Sequence, residues 1–198
     1  MLIEHRGARP QIHESAYVSP AAVLSGDVTV GAGSRILHGA VLSAEDGPVS
    51  IGQNVVVMEN ALVRGRAGHP ATVGDDVLIG PHAHVNGARV STGCFIATGA
   101  SLFPGSSLEA GAEVRINAVV QVNTRVAAGT VVPIAWVAVG DPAQLFSPDR
   151  HDEIWAVQRE LGFTATVYGV GPGASMAEIM RGQSRYYAAH RDDTVIDG

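Results

Sequence analysis

His82 and His84 stand one residue apart in Ile79-Gly80-Pro81-His82-Ala83-His84-Val85-Asn86-Gly87. If this stretch is a strand, side chains two apart share a face, and both rings are able to reach one metal ion. The pair also suits a polar pocket without metal, or two solvated rings with no chemistry. His69, in Gly65-Arg66-Ala67-Gly68-His69-Pro70, is a third imidazole, carried by a loop. Arg64 offers a planar guanidinium that matches a carboxylate or another small anion, and equally an ion pair with Glu59 or Glu45. Ser43 and Asn86 add neutral hydrogen-bonding groups.

Composition limits what these groups serve. Across 198 residues, 13 Lys and Arg against 19 Asp and Glu leave a net charge of -6. No basic block follows a phosphate backbone, so nucleic acid is not an expected partner. No apolar run approaches the ~20 residues of a membrane span. The start MLIEHRGARPQIHES lacks the apolar centre of a secretory signal, and a cytoplasmic protein without a membrane partner is the expectation. A single cysteine, Cys94, excludes an intrachain disulfide and a multi-cysteine zinc site.

The elements that must position the polar groups show in the spacing of aliphatic residues. Val90, Ile96, Leu102, Leu108, Val114, Val120, Val126 and Val132 recur every six positions, as do Val18, Leu24, Val30, Ile36 and Leu42 before them. Ile51, Val57, Val63, Val73, Ile79 and Val85 bridge the two runs. Four residues after each aliphatic comes a small side chain such as Ala22, Ala40, Ala61, Ala83, Cys94 or Ala100, also expected inside. Helices and hairpins do not repeat every six residues, but a parallel solenoid of short strands does. The expected fold is therefore an all-β solenoid, a parallel β-helix over residues 12–146. It follows a lead-in at 1–11 and precedes a helical appendage at 147–190 and a loose tail at 191–198. Ser147 is the expected N-cap of a first helix, and a second is expected near Ser175 to His190.

In this register Arg64 and Asn86 each follow an inward aliphatic, so both face outward in adjacent coils ~4.8 Å apart. Ser43 heads their column, His84 shares Asn86's face, and Glu59 and His82 lie near a corner. The ladder breaks at Asp46-Gly47-Pro48 and at Gly65–Pro70, and is one residue short between Val85 and Val90. Insertions in a solenoid become edge loops, which often carry function.

The repeat, its insertions, the shortened rung VNGARV, the GDPA segment and the C-terminal helix together resemble the gamma-class carbonic anhydrase family. The resemblance implies a left-handed β-helix, a homotrimer, and zinc held by three histidines at a subunit interface. Matched residue by residue, those histidines fall at Arg64, Pro81 and Asn86. The family's Arg-Gly-Asp falls at Ser43-Ala44-Glu45, and its Asn and Gln next to the metal at Val56 and Met58. The standard zinc site is thus replaced.

The expectation is an interface pocket for a small molecule with Arg64, His84, Asn86, Glu59, Ser43 and Glu45 as candidates. If a metal is bound, His82, His84 and His69 are its candidate ligands. Carbon dioxide hydration is expected to be weak or absent. Alternatives are a hexapeptide acyltransferase, with a histidine base and acyl-CoA lying between coils, and a non-catalytic trimeric binding protein.

Overall fold

A six-residue period makes a solenoid only if successive coils keep register. The computed structural model, which describes residues 1–196, shows that they do. Leu24 pairs with Leu42, and Leu102 with Val120, each 18 residues on, so one coil is three hexapeptides. Leu42 pairs with Val63, 21 residues on, and Val63 with Val85, 22 on. Val85 then pairs with Leu102 after only 17. The two insertions and the shortened rung are therefore absorbed at corners, and the inward columns continue unbroken.

Among the described residues the strands form three sheets, of ten, seven and seven strands, which close the left-handed prism expected from the repeat. Leu24, Leu42, Val63, Val85, Leu102 and Val120 stack inside the ten-stranded sheet with no exposure. Each such side chain stabilises the fold by ~1.5–3 kcal/mol through burial. Cys94 is buried in the same core, as its place among the small residues required.

One corner explains His82. Gly39, Asn60, His82, Gly99, Asn117 and Ala135 follow one another at the coil spacing, and all have positive φ. From Asn60 onward each amide bonds to the residue before the equivalent corner of the preceding coil, as His82 N–H does to the Glu59 carbonyl at 3.0 Å. The left-handed conformation favours Gly and Asn, and tolerates His. His82 is a turn residue with an exposed ring.

The C-terminal region differs from expectation in three ways. The first helix, α1 (His151–Gln158), has Arg150 at its N-cap, and Ser147 instead closes a turn by accepting from Arg150 N–H at 3.1 Å. A short helix, α2 (Phe163–Tyr168), intervenes. The next, α3 (Met176–Tyr187), starts where expected, with Ser175 and Glu178 forming a capping box. Ile179 is its buried contact, while Met176 and Met180 stay exposed.

The segment expected to be a loose tail is instead tied down. Thr194–Ile196 pairs antiparallel with Leu2–Glu4 and extends the ten-stranded sheet. Asp197 and Gly198 lie outside the described residues. From α2 onward the chain runs back along that sheet. Asn123 bonds to Leu161 O and Thr166 Oγ1, Phe163 packs on Phe103, and Tyr186 O–H donates to Asp46.

Candidate functional site

Parallel pairing in register places Ser25, Ser43, Arg64 and Asn86 in one outward column, since Ser25 pairs with Ser43, Ser43 with Arg64, and Arg64 with Asn86. Gly65 makes room for it. A Cβ there would lie 2.2 Å from the Gly47 carbonyl oxygen and 2.4 Å from that of Pro48, so only glycine lets the inserted loop cross so closely. Glu45 leads into that loop, and its N–H bonds to the Gly65 carbonyl at 3.4 Å.

Glu45 is 5% exposed and is held from three sides. Ser43 Oγ donates to its Oε1 at 2.8 Å, Arg64 Nε stands 3.9 Å from the same oxygen, and His190 Nε2 is 3.0 Å from Oε2. The Arg64 guanidinium lies 6.0 Å from the ring centre of Tyr187, at the end of α3.

His84 lies two residues before Asn86 on the same outward face, with Phe103 edge-on at 6.2 Å. Burial first, and the Arg64 charge second, lower its pKa below the ordinary histidine value. At neutral pH the ring is uncharged and has one donor and one acceptor nitrogen. Asn86 is 4% exposed. Arg64 Nε, His84 Nε2, Asn86 Oδ1 and Ser25 Oγ are all buried without a hydrogen-bond partner in the protein, as is Gln121 Oε1 further along the same column. Buried polar groups are normally paired, and each left unpaired costs about 1–3 kcal/mol. A guanidinium, a neutral imidazole and an amide side by side on adjacent strands together suit a small, polar, negatively charged molecule.

Other expected residues fall elsewhere. Glu59 sits at the corner beneath His82, at the opposite end of the strand from Arg64, and forms no ion pair with it. His69 closes a tight turn with Arg66, and burial, then the Arg66 charge, lower its pKa. It lines a separate cleft of 310 Å³ with Arg89, Ser107 and Asn123. His82, His84 and His69 therefore do not converge as metal ligands.

The converging group is one the sequence did not reveal: His5, Glu45 and His190 bring one ligand atom each within 4.8 Å of the others. Their partner Asp193 was also missed. Nothing in the hexapeptide spacing links residues 5 and 190, which meet only because the last strand pairs with the first.

No family model matches the chain. Over 87 residues it is 38% identical to gamma carbonic anhydrase 3, mitochondrial, of Arabidopsis thaliana, covering 41% of this chain and 34% of that protein. It is 27% identical over 90 residues to a carbonic anhydrase of Geobacillus kaustophilus (strain HTA426), covering 46% and 50%. Over less than half its length the chain is thus similar to gamma carbonic anhydrases, and its fold is the β-helix of hexapeptide repeats. It spans about a third of the Arabidopsis protein and half of the Geobacillus one. A putative acetyltransferase from Desulfovibrio desulfuricans G20 matches with a TM-score of 0.52 at 15% identity, over 76% of this chain and 34% of that one, a likeness of fold.

The zinc site implied by the gamma carbonic anhydrase resemblance does not fit the residues present. Arg64 presents a cationic guanidinium with donors but no acceptor, Pro81 has no donor atom in its side chain, and Asn86 offers only a neutral amide. No imidazole, thiolate or carboxylate stands at any of the three positions.

Proposed function

We propose that this gamma carbonic anhydrase-like chain forms a homotrimer that binds a small carboxylate-bearing molecule at Arg64, His84 and Asn86, and that it hydrates carbon dioxide weakly or not at all. The observation that carries this reading is the set of buried, unpaired polar atoms on those three side chains. Arg64 Nε–H donates to a carboxylate oxygen, neutral His84 serves as a second donor or as a base according to its tautomer, and Asn86 fixes orientation. Zinc-hydroxide chemistry at this position lacks its ligands.

The trimer is supported by a second face. Leu78, Phe95, Ile116 and Ile134 line an apolar cleft of 460 Å³ that ends at Pro81, with Ile134 62% exposed. A prism with one apolar face and a different face left polar is suited to head-to-tail contacts, which close into a ring when the rotation allows.

Stopped-flow carbon dioxide hydration with added zinc, on protein purified without an affinity tag, tests the first part. A rate near the uncatalysed one is expected, and rapid zinc-dependent hydration would sink the reading. Titration with acetate, malonate and bicarbonate tests the second. Binding that weakens about ten- to hundredfold in Arg64→Gln supports the pocket, and no binding of any carboxylate overturns it. Light scattering at micromolar concentration should give three times the chain mass.

A further inference from the structure

We propose that His5, Glu45 and His190 form a binding site for one divalent transition-metal ion of the zinc class, with Asp193 fixing both imidazoles. The ion would join the two ends of the chain.

The geometry begins with Asp193. Its Oδ1 lies 2.5 Å from Nδ1 of His5, and its Oδ2 lies 2.9 Å from Nδ1 of His190. A carboxylate on Nδ1 takes the N–H from that nitrogen, which leaves the lone pair on Nε2 of each ring. This is the outer carboxylate that orients metal-binding histidines elsewhere, here shared by two rings stacked 4.5 Å apart.

The Nε2 atoms then define the face on which an ion would bind. For His5, Nε2 accepts from Arg6 Nε at 3.2 Å, so its lone pair is available to a cation. His190 Nε2 faces the Glu45 carboxylate at 3.0 Å. With Nδ1–H donating to Asp193, that contact sets lone pair against lone pair unless a second proton or a metal ion lies between. A zinc-class ion replaces the proton and uses both atoms as ligands.

Two nitrogens and one carboxylate oxygen, with a fourth position open, form a familiar donor set for zinc. Donor atoms no more than 4.8 Å apart must draw together to reach ~2.0–2.2 Å from the ion, and one of the two stacked rings must turn its nitrogen toward it. His190 supplies that freedom because it is partly exposed, while His5 and Glu45 are buried. Arg6, already 5.8 Å from the ring centre of Tyr186, must leave His5. Glu45 and Asp193 balance the ion's charge, and Ser43 and Arg64 occupy only Oε1 of Glu45, leaving Oε2 for the metal.

The test uses full-length, tag-free protein stripped with a chelator. Calorimetric titration with zinc chloride at pH 7.5 should show one ion per chain. His190→Ala and His5→Ala should abolish that binding, and Asp193→Asn should weaken it about ten- to hundredfold. His82→Ala with His84→Ala should leave it unchanged. If His5→Ala fails to fold, the partly exposed His190 variant and an anomalous-scattering map of zinc-soaked wild-type crystals still decide. An anomalous peak between the three side chains confirms the site. A peak elsewhere, no stoichiometric binding, or binding unaffected by His190→Ala overturns it. A zinc peak at the Arg64 column would count against the proposed carboxylate pocket as well, so the two readings fail separately.

Discussion

Glu45 and His190 meet at 3.0 Å across 145 residues of sequence, and that contact fastens the C-terminal segment over the face that carries Arg64. Residues on either side of His190 make further contacts with the sheet. Tyr187, at the end of α3, reaches Arg64, and Asp193, three residues beyond His190, reaches His5.

The first prediction concerns pH in metal-free protein. Burial opposes charging of His190, but its bond to Asp193 and the charges of Glu45 and Asp193 outweigh it and raise its pKa above 6.5. Burial likewise opposes ionisation of Asp193, but its bonds to His190 and His5 prevail and lower its pKa below 3.8. A raised histidine contributes stability fully below its unfolded value and loses it as pH climbs through the folded value. A lowered aspartate contributes above its unfolded value and loses that as pH falls through the folded one. Docking of Thr194–Ile196 should therefore be tightest between about pH 3.8 and 6.5. Hydrogen exchange of that strand, corrected for intrinsic rates, should accelerate on the alkaline side. Saturating zinc should remove the alkaline loss, because the ion takes the proton's place.

The column Ser43, Arg64, Asn86 is legible in the sequence because a six-residue period fixes which side chains share a face, and each pairing follows from counting. The corner conformation of His82 is not, since a His-x-His pair reads the same whether its first ring lies on a strand or in a left-handed turn. The cluster of His5, His190 and Asp193 is also invisible. It depends on where a long helical segment turns back, which burial along the whole sheet decides. The same contact makes a strand of a charged, polar terminus that reads as loose.

Gly65→Ala should destabilise the fold by about 1–3 kcal/mol or more, through clash with two backbone carbonyls that cannot rotate away as a side chain can. Urea unfolding should show a lower midpoint with an unchanged slope. Full stability in this variant would mean that the inserted loop at Asp46–Pro48 stands further from the strand than the structure shows.

Cys94→Ala should cost about 1 kcal/mol and leave carboxylate binding intact, because the thiol is buried and donates to the Glu109 carbonyl at 3.2 Å, away from the Arg64 column. Burial also holds its pKa above the ordinary thiol value, which keeps it unreactive at neutral pH. Rapid alkylation of the folded protein by iodoacetamide would contradict this placement.

The last prediction separates the causes acting on His84. Burial is the larger influence on its lowered pKa and Arg64 the smaller, so Arg64→Gln should raise the value only part of the way toward 6.5. Titration of the ring's carbon-bound protons by NMR reads this directly. The same variant removes a charged donor, and hydrogen bonds to charged groups contribute about 1.5–3 kcal/mol, so carboxylate affinity should fall roughly ten- to hundredfold. A bound carboxylate places negative charge beside both groups and should raise the His84 pKa in wild-type protein. By linkage, affinity should then strengthen as pH falls through the His84 titration. If the histidine titrates identically with and without Arg64, and with and without a saturating carboxylate, then the ligand does not lie between these two side chains.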